Sequence, residues 1–133
     1  PCSSEARFKL AQPESWQYWS ERKILEMQRK QKQLLYSAVL AAKPGAPVVY
    51  STCSFAPEEN EAVVAHVLKK FSGRLQVEPL QLPFENAIPG LGQWRGKVFD
   101  SQVAGAVRIL PTDTMGGFFV CLLRKSPDDS IPA

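Results

Sequence analysis

The stretch from Ser20 to Phe71 constrains the fold most, because it sets out a helix, a stop, a strand and a second helix in direct succession. Ile24, Leu25, Gln28, Gln31, Leu34, Leu35, Ala38 and Val39 recur at helical spacing, while Lys23, Arg29, Lys30 and Lys32 fall mostly on other faces. Ser20 suits the N-cap and Glu21 the first turn, so a helix is expected from Ser20 to Ala42. "KPG" ends it, since Pro44 cannot continue a helix and Gly45 tolerates the reversal. "APVVYSTC" then reads as a strand, Val48 to Ser51, apolar on consecutive positions as in a parallel sheet covered on both faces. "SFAPEENEAVVAHVLKKF" reads as the next helix: Pro57 suits its first turn, Glu58 and Glu59 the positive end of its dipole, and Lys69 and Lys70 the negative end. Val63, Val64, Val67, Leu68 and Phe71 form its buried stripe.

Further on, "GRLQVEPL" alternates as a strand, Gln81 to Ala104 reads as loop, and "GAVRILP" and "GGFFVCLLRK" read as a closing strand pair joined by a turn at "TDTMGG". The order helix, strand, helix, strand, strand is that of the second half of an α/β doubly wound sheet. Ligands of such sheets bind at the carboxyl ends of parallel strands, and "STC" falls at one of those ends.

The 133 residues suffice for one domain, and 44% hydrophobic with 22% charged residues is the composition of an ordinary globular protein. The longest apolar runs, "SAVLAA" and "GGFFVCLL", fall far short of the roughly 20 residues a membrane helix needs, and no signal peptide opens the chain, so a cytoplasmic location is expected. A net charge of +3 is compatible with an anionic partner, and only "ERKILEMQRKQKQ" concentrates the basic residues. The chain opens at Pro1 without an initiator methionine and reads as a piece of something longer.

Cys2, Cys53 and Cys121 make no disulfide framework, and the absence of C-x-x-C pairs and His-rich clusters argues against a metal site. Cys121, inside "FFVCLL", reads as core. Cys53 sits at a strand end just before a helix start, where positive potential favours a thiolate, but a buried inert thiol fits the same spacing. Spacing alone gives Cys2 no role. A thiol hydrolase would need a histidine beside the cysteine, and the single histidine, His66, points away from its helix's buried stripe. Trp16, Tyr18 and Trp19 suit either base stacking or packing beside the helix start, and Arg108 is a candidate substrate contact.

"PCSSEARF" resembles the Pro-Cys-Ser segment, and "VVYSTCSFAPEENEAVV" the Tyr-Ser-Thr-Cys-(Ser/Thr) segment with its downstream Glu-Asn, of the Sun (Fmu) family of RNA 5-methylcytosine methyltransferases. The helix with its "KPG" turn and the closing "VRILPTDTMGGFFVCLLRK" are similar to the same family, so the resemblance spans nearly the whole chain. It implies that residues 1–125 are the C-terminal part of a methyltransferase catalytic domain, the second half of a Rossmann-like S-adenosylmethionine-dependent sheet, with 126–133 a polar tail. It implies that Cys53 is the nucleophile that attacks carbon 6 of a cytosine in rRNA or tRNA, making carbon 5 reactive toward the methyl group of S-adenosylmethionine. Cys2 is implied to assist product release, and the two cysteines are expected close together around an unstacked base.

The family's acidic residue before Pro-Cys and its glycine-rich cofactor loop have no counterpart here, so no cofactor-binding residue is expected within this chain and the piece alone is expected to be inactive. Ser4 and Ala6 stand where many relatives have Gly, and Ala46 where a second Gly is common. An exposed edge beside "VVYSTC" is expected to favour self-association. The alternative from another class is a non-catalytic RNA-binding module that uses Lys23, Arg29, Lys30 and Lys32 on phosphates.

Overall fold

The computed structural model describes residues 1–4, 9, 11–17 and 19–128. The stacking expectation for Tyr18, the departure at Ala6 and the end of the tail, 129–133, lie outside those residues. Helix α1 spans Glu21–Ala41, with the Ser20 side chain accepting from the Lys23 backbone N–H as the N-cap. Its buried face is Ile24, Met27, Gln31, Leu35 and Val39. Leu25 and Leu34, placed on that face by spacing, are more than half exposed. The helix end is tied down by Lys125, whose buried ammonium donates to the carbonyls of Leu40 and Ala42, where the helix dipole is negative.

Strand β1, Pro47–Thr52, alternates between exposed and buried instead of being covered on both faces. Helix α2 follows at Glu61–Phe71, and then come β2 (Leu75–Glu78), β3 (Ala87–Pro89), β4 (Gln93–Trp94), β5 (Lys97–Val98), β6 (Val107–Ile109) and β7 (Phe118–Lys125). β7 is the spine of the sheet. It pairs with β1 along one side and with β6 and β2 in turn along the other, while β3 lies beyond β6. Every one of these pairings is antiparallel, so the parallel neighbour expected for β1 is not among the described strands and β1 forms an edge. Tyr50 lies in the core with Val48 packed against it while Val49 is 63% exposed, the alternation of a strand covered on one face only.

The β6–β7 pair confirms the expected closing strands. The expectation of loop from Gln81 to Ala104 is corrected: it holds β3, the separate β4–β5 hairpin and a 3-10 helix, Ser101–Gly105. Strands of two or three residues are too short to show a period. The core joins Val39 of α1, Val63, Val64, Val67 and Phe71 of α2, and Phe119, Cys121 and Leu123 of β7. Cys121 is the core residue the sequence suggested, and burial pushes its thiol up to about 12. No helix among the described residues is long and apolar enough to cross a membrane.

Candidate active site

β1 ends at Thr52, so Cys53 emerges at the sheet's edge, and the chain from Ser54 to Asn60 turns before α2 begins. α2 therefore starts later than its sequence suggests. Pro57, Glu58 and Glu59 are not its first turn, and Cys53 is flanked by Thr52 and Ser54, which both hydrogen-bond to Asn60 at the start of α2. The reason is that the polar residues of "STCSFAPEEN" are used by one another. Asn60 donates from Nδ2 to the Ser54 carbonyl at 2.8 Å, and Thr52 donates its hydroxyl to Asn60 Oδ1 at 2.5 Å. Ser54 N–H and Ala56 N–H are taken by the Thr52 and Ser54 hydroxyls, each at 3.1 Å. With its side chain so engaged, Asn60 caps α2 by position without a capping hydrogen bond.

Glu59 is fully buried in the middle of this turn. Its Oε1 accepts from the Ser3 backbone N–H at 2.8 Å and from Gln31 Nε2 at 3.0 Å; its Oε2 accepts from the hydroxyls of Ser3 and Ser54, both at 2.6 Å. Gln31 Nε2 also donates to the Pro1 carbonyl at 2.7 Å. The carboxylate thus fastens Pro1–Ser4 to the loop after β1 and to α1. The buried Gln31 on an otherwise apolar helix face is the second clamp residue, and its place in the helical period was the signal that could have found it.

The consequence of the clamp is that Cys2 Sγ and Cys53 Sγ lie 3.0 Å apart, both half-buried and neither in a disulfide. Ser4 Oγ reaches both, at 3.5 Å from Cys2 and 3.6 Å from Cys53. Burial pushes the Cys2 thiol up, but hydrogen bonding from Ser4 and Cys53 together outweighs it and holds Cys2 below its ordinary value. Ser4 adopts φ +58°, the left-handed region that glycine occupies without cost, so its hydroxyl reaches the thiols from a backbone conformation unfavourable to a side chain.

Arg108, whose role the sequence leaves open, anchors the fold. Its Nε and Nη2 form a two-pronged ion pair with the fully buried Glu61, both at 2.5 Å, and Nη1 donates to the Phe55 carbonyl at 2.9 Å. Glu61 Oε2 also accepts from Leu91 N–H at 2.8 Å. His66 is half-buried on the far side of α2, away from the thiols. Trp16 and Trp19 are 43% and 41% exposed, and Trp19 lines a cavity beside Phe55–Pro57. Among the described residues no cluster of His, Cys, Asp and Glu large enough to hold a metal ion forms.

The chain is similar to several known proteins. A tRNA (cytosine(49)-C(5))-methyltransferase of Pyrococcus abyssi is 35% identical over 94% of this chain, and a ribosomal RNA small subunit methyltransferase F of Aliivibrio fischeri is 32% identical over 99% of it. The chain spans 39% and 26% of the length of these two relatives. Among solved structures, a methyltransferase homolog from Pyrococcus horikoshii matches 83% of this chain with TM-score 0.72 and 32% identity, over 34% of its own length. NSun6 from Pyrococcus horikoshii, solved with SFG, matches 96% with TM-score 0.66 and 26% identity, over 29% of its own length. The family model for the 16S rRNA methyltransferase RsmB/F matches residues 1–124, the span that carries both cysteine motifs, the α1 helix and the closing strands; the chain belongs to this family as a partial α/β methyltransferase domain.

Proposed function

We propose that the protein to which this chain belongs methylates carbon 5 of a cytosine in rRNA or tRNA through a covalent cysteine adduct, and that it does so in the cytoplasm. The observation that carries the proposal is the 3.0 Å separation of the Cys2 and Cys53 sulfurs, brought together from separate segments by a buried carboxylate clamp. A structural thiol pair would need no such clamp, and two thiols on one ring of substrate need this proximity.

In this reading Cys53, as thiolate, adds to carbon 6 of an unstacked cytosine and makes carbon 5 electron-rich. S-adenosylmethionine, when bound, supplies the methyl group. After transfer, Cys2, whose thiol is held below its ordinary value, takes the carbon 5 proton as thiolate, and the electron pair left at carbon 5 forms the double bond to carbon 6 and expels Cys53 as thiolate. Ser4 positions both sulfurs. The loop after β1 does not fit as a holder of the cofactor, because it is filled by the hydrogen bonds of its own Thr52, Ser54, Glu59 and Asn60, and the methyl donor is assigned to other parts of the protein. The isolated chain is accordingly proposed to be inactive, and the open edge of β1 supports its self-association through strand pairing.

The test uses the full-length protein with RNA carrying 5-azacytidine, as wild type and as Cys53→Ser. An adduct that survives denaturing electrophoresis and disappears in Cys53→Ser is the expected result. No adduct from a folded, RNA-binding wild type would replace this reading with the non-catalytic binding module. With ordinary RNA and the methyl donor, Cys2→Ala is expected to accumulate a protein–RNA complex that wild type releases.

A further inference from the structure

A trough that the thiols do not use runs along the surface between α1, α2 and the β4–β5 hairpin. It begins as a cavity of about 320 Å³ lined by Trp19, Trp94, Arg95 and the Phe55–Pro57 segment, which starts two residues after Cys53. It continues through a cavity of about 230 Å³ that shares Trp94 and Arg95 and adds Gln28 and Lys97. It opens into a third, of about 540 Å³, that shares Lys97 and adds His66, Lys69 and Asp100.

The two ends differ in chemistry. The end near Cys53 is aromatic: Trp19 and Trp94 are 41% and 38% exposed, and the Arg95 guanidinium lies 5.5 Å from the centre of the Trp94 ring. Trp94 Nε1 donates to Glu58 at 2.5 Å, and Glu21 lines the same cavity. Two carboxylates repel a phosphate there but accept from the exocyclic amino group of a base. The far end is cationic. Lys69 and Lys97 line this cavity beside His66, whose imidazole is pushed down by burial first and then by the positive charges of Lys32, Lys70, Lys97 and Lys69. Lys32 is itself pushed down by burial and then by Lys97. A row of ammonium groups of like sign is relieved by a polyanion laid along it. The hairpin that roofs the trough turns at Arg95 and Gly96, at φ +48° and +78°, the two-residue turn in which both central residues are left-handed.

We propose that this trough carries a single-stranded stretch of substrate RNA adjoining the target cytosine, with a base on Trp19 and Trp94 and the phosphates along Lys97 and Lys69. The proposal rests on the RNA methyltransferase reading for its substrate, and it adds the residues that hold the flanking strand. A base stacked on an aromatic side chain and a backbone tracked by cations are the two recurrent elements of single-strand binding.

The experiment measures binding of the full-length protein to a fluorescent oligocytidine of about twelve nucleotides, over a salt series. Trp94→Ala is expected to weaken binding about ten-fold, as removal of one stacked base does. Lys69→Glu/Lys97→Glu is expected to reduce the slope of log affinity against log salt by about 0.7 for each phosphate that the variant no longer neutralises. Lys43→Ala, an exposed lysine in the turn after α1 and outside the trough, is expected to keep wild-type affinity. Wild-type affinity and slope in both trough variants would overturn the proposal. Lysine acylation adds a second readout: Lys69 and Lys97 should be modified without RNA and protected with it, whereas protection without RNA would mean that another part of the protein fills the trough and would also overturn it. The 5-azacytidine adduct is scored separately. Weaker binding by the trough variants with no adduct from wild type would leave the trough standing and remove the methyltransferase reading.

Discussion

Glu59 and Glu61 stand on either side of Asn60 at the threshold of α2, both with no exposure to solvent, yet their surroundings differ completely. Glu61 meets a guanidinium and joins the helix to β6, while Glu59 meets backbone, hydroxyl and amide donors and joins three separate segments around the two thiols. One carboxylate is satisfied by a charge and the other by a ring of neutral dipoles. The comparison separates two jobs of buried acid: Glu61 fixes the scaffold, and Glu59 fixes the geometry of the site. Variants on each side should therefore fail in different ways.

The largest effect is expected from Arg108→Ala, which strands Glu61 as an uncompensated buried charge. The loss is about 3–5 kcal/mol, read as a drop in the midpoint of urea unfolding. A midpoint within error of wild type would mean the ion pair does not anchor the helix. Glu59→Gln comes next: it keeps the shape of the side chain but turns an amide NH2 toward donors, at a cost of about 1–3 kcal/mol. Its distinguishing sign is release of Pro1–Ser4, seen as faster alkylation of Cys2, which Arg108 variants of comparable stability should not show.

Tyr50→Phe is smaller. The Tyr50 hydroxyl donates to the Glu59 carbonyl at 2.6 Å, and burial, followed by the Glu59 charge, raises its titration well above the usual range so that it stays a donor. Removing that bond should cost about 1 kcal/mol in unfolding free energy and leave the thiol contact in place. The smallest change, with no loss of fold expected, is Ser4→Ala. Cys2 in the wild type should be alkylated with a pH midpoint below the ordinary thiol value, because the thiolate is the favoured form there; removing the Ser4 hydroxyl should move that midpoint upward. An unmoved midpoint would assign the lowering to Cys53 and the backbone of Ser4.

Where the chain repeats a period over several turns or pairs, the sequence is a sufficient guide: the bounds of α1 with its Ser20 cap, the core position of Cys121 and the β6–β7 pairing all follow from spacing. Where side-chain hydrogen bonds compete with the helix, it misleads. Pro57, Glu58 and Glu59 have the composition of a first turn, but Glu59 is drawn inward by Ser3 and Gln31, partners far away in the sequence that no local pattern announces. The antiparallel setting of β1 was hidden for a related reason, since its partner β7 comes from the opposite end of the chain. The thiols themselves were legible through the two cysteine motifs. The acid that holds them together was visible only as part of "PEEN", and the role of Arg108 stayed open because a lone arginine gives no hint of whether it will find Glu61 or solvent.

The thiol pair joins residues 51 positions apart, and the clamp above it joins Ser3 to Glu59, 56 apart. Pairings of such span carry a chain-closure cost that local contacts do not and form after local structure. β1 must first be pinned to β7, which places Thr52 opposite Phe119, before Cys53 has a fixed position at all. The paired sulfurs are therefore a signature of completed folding: a partly folded chain has two separate, ordinary cysteines, and their distinctive reactivity arrives only with the last long-range closure.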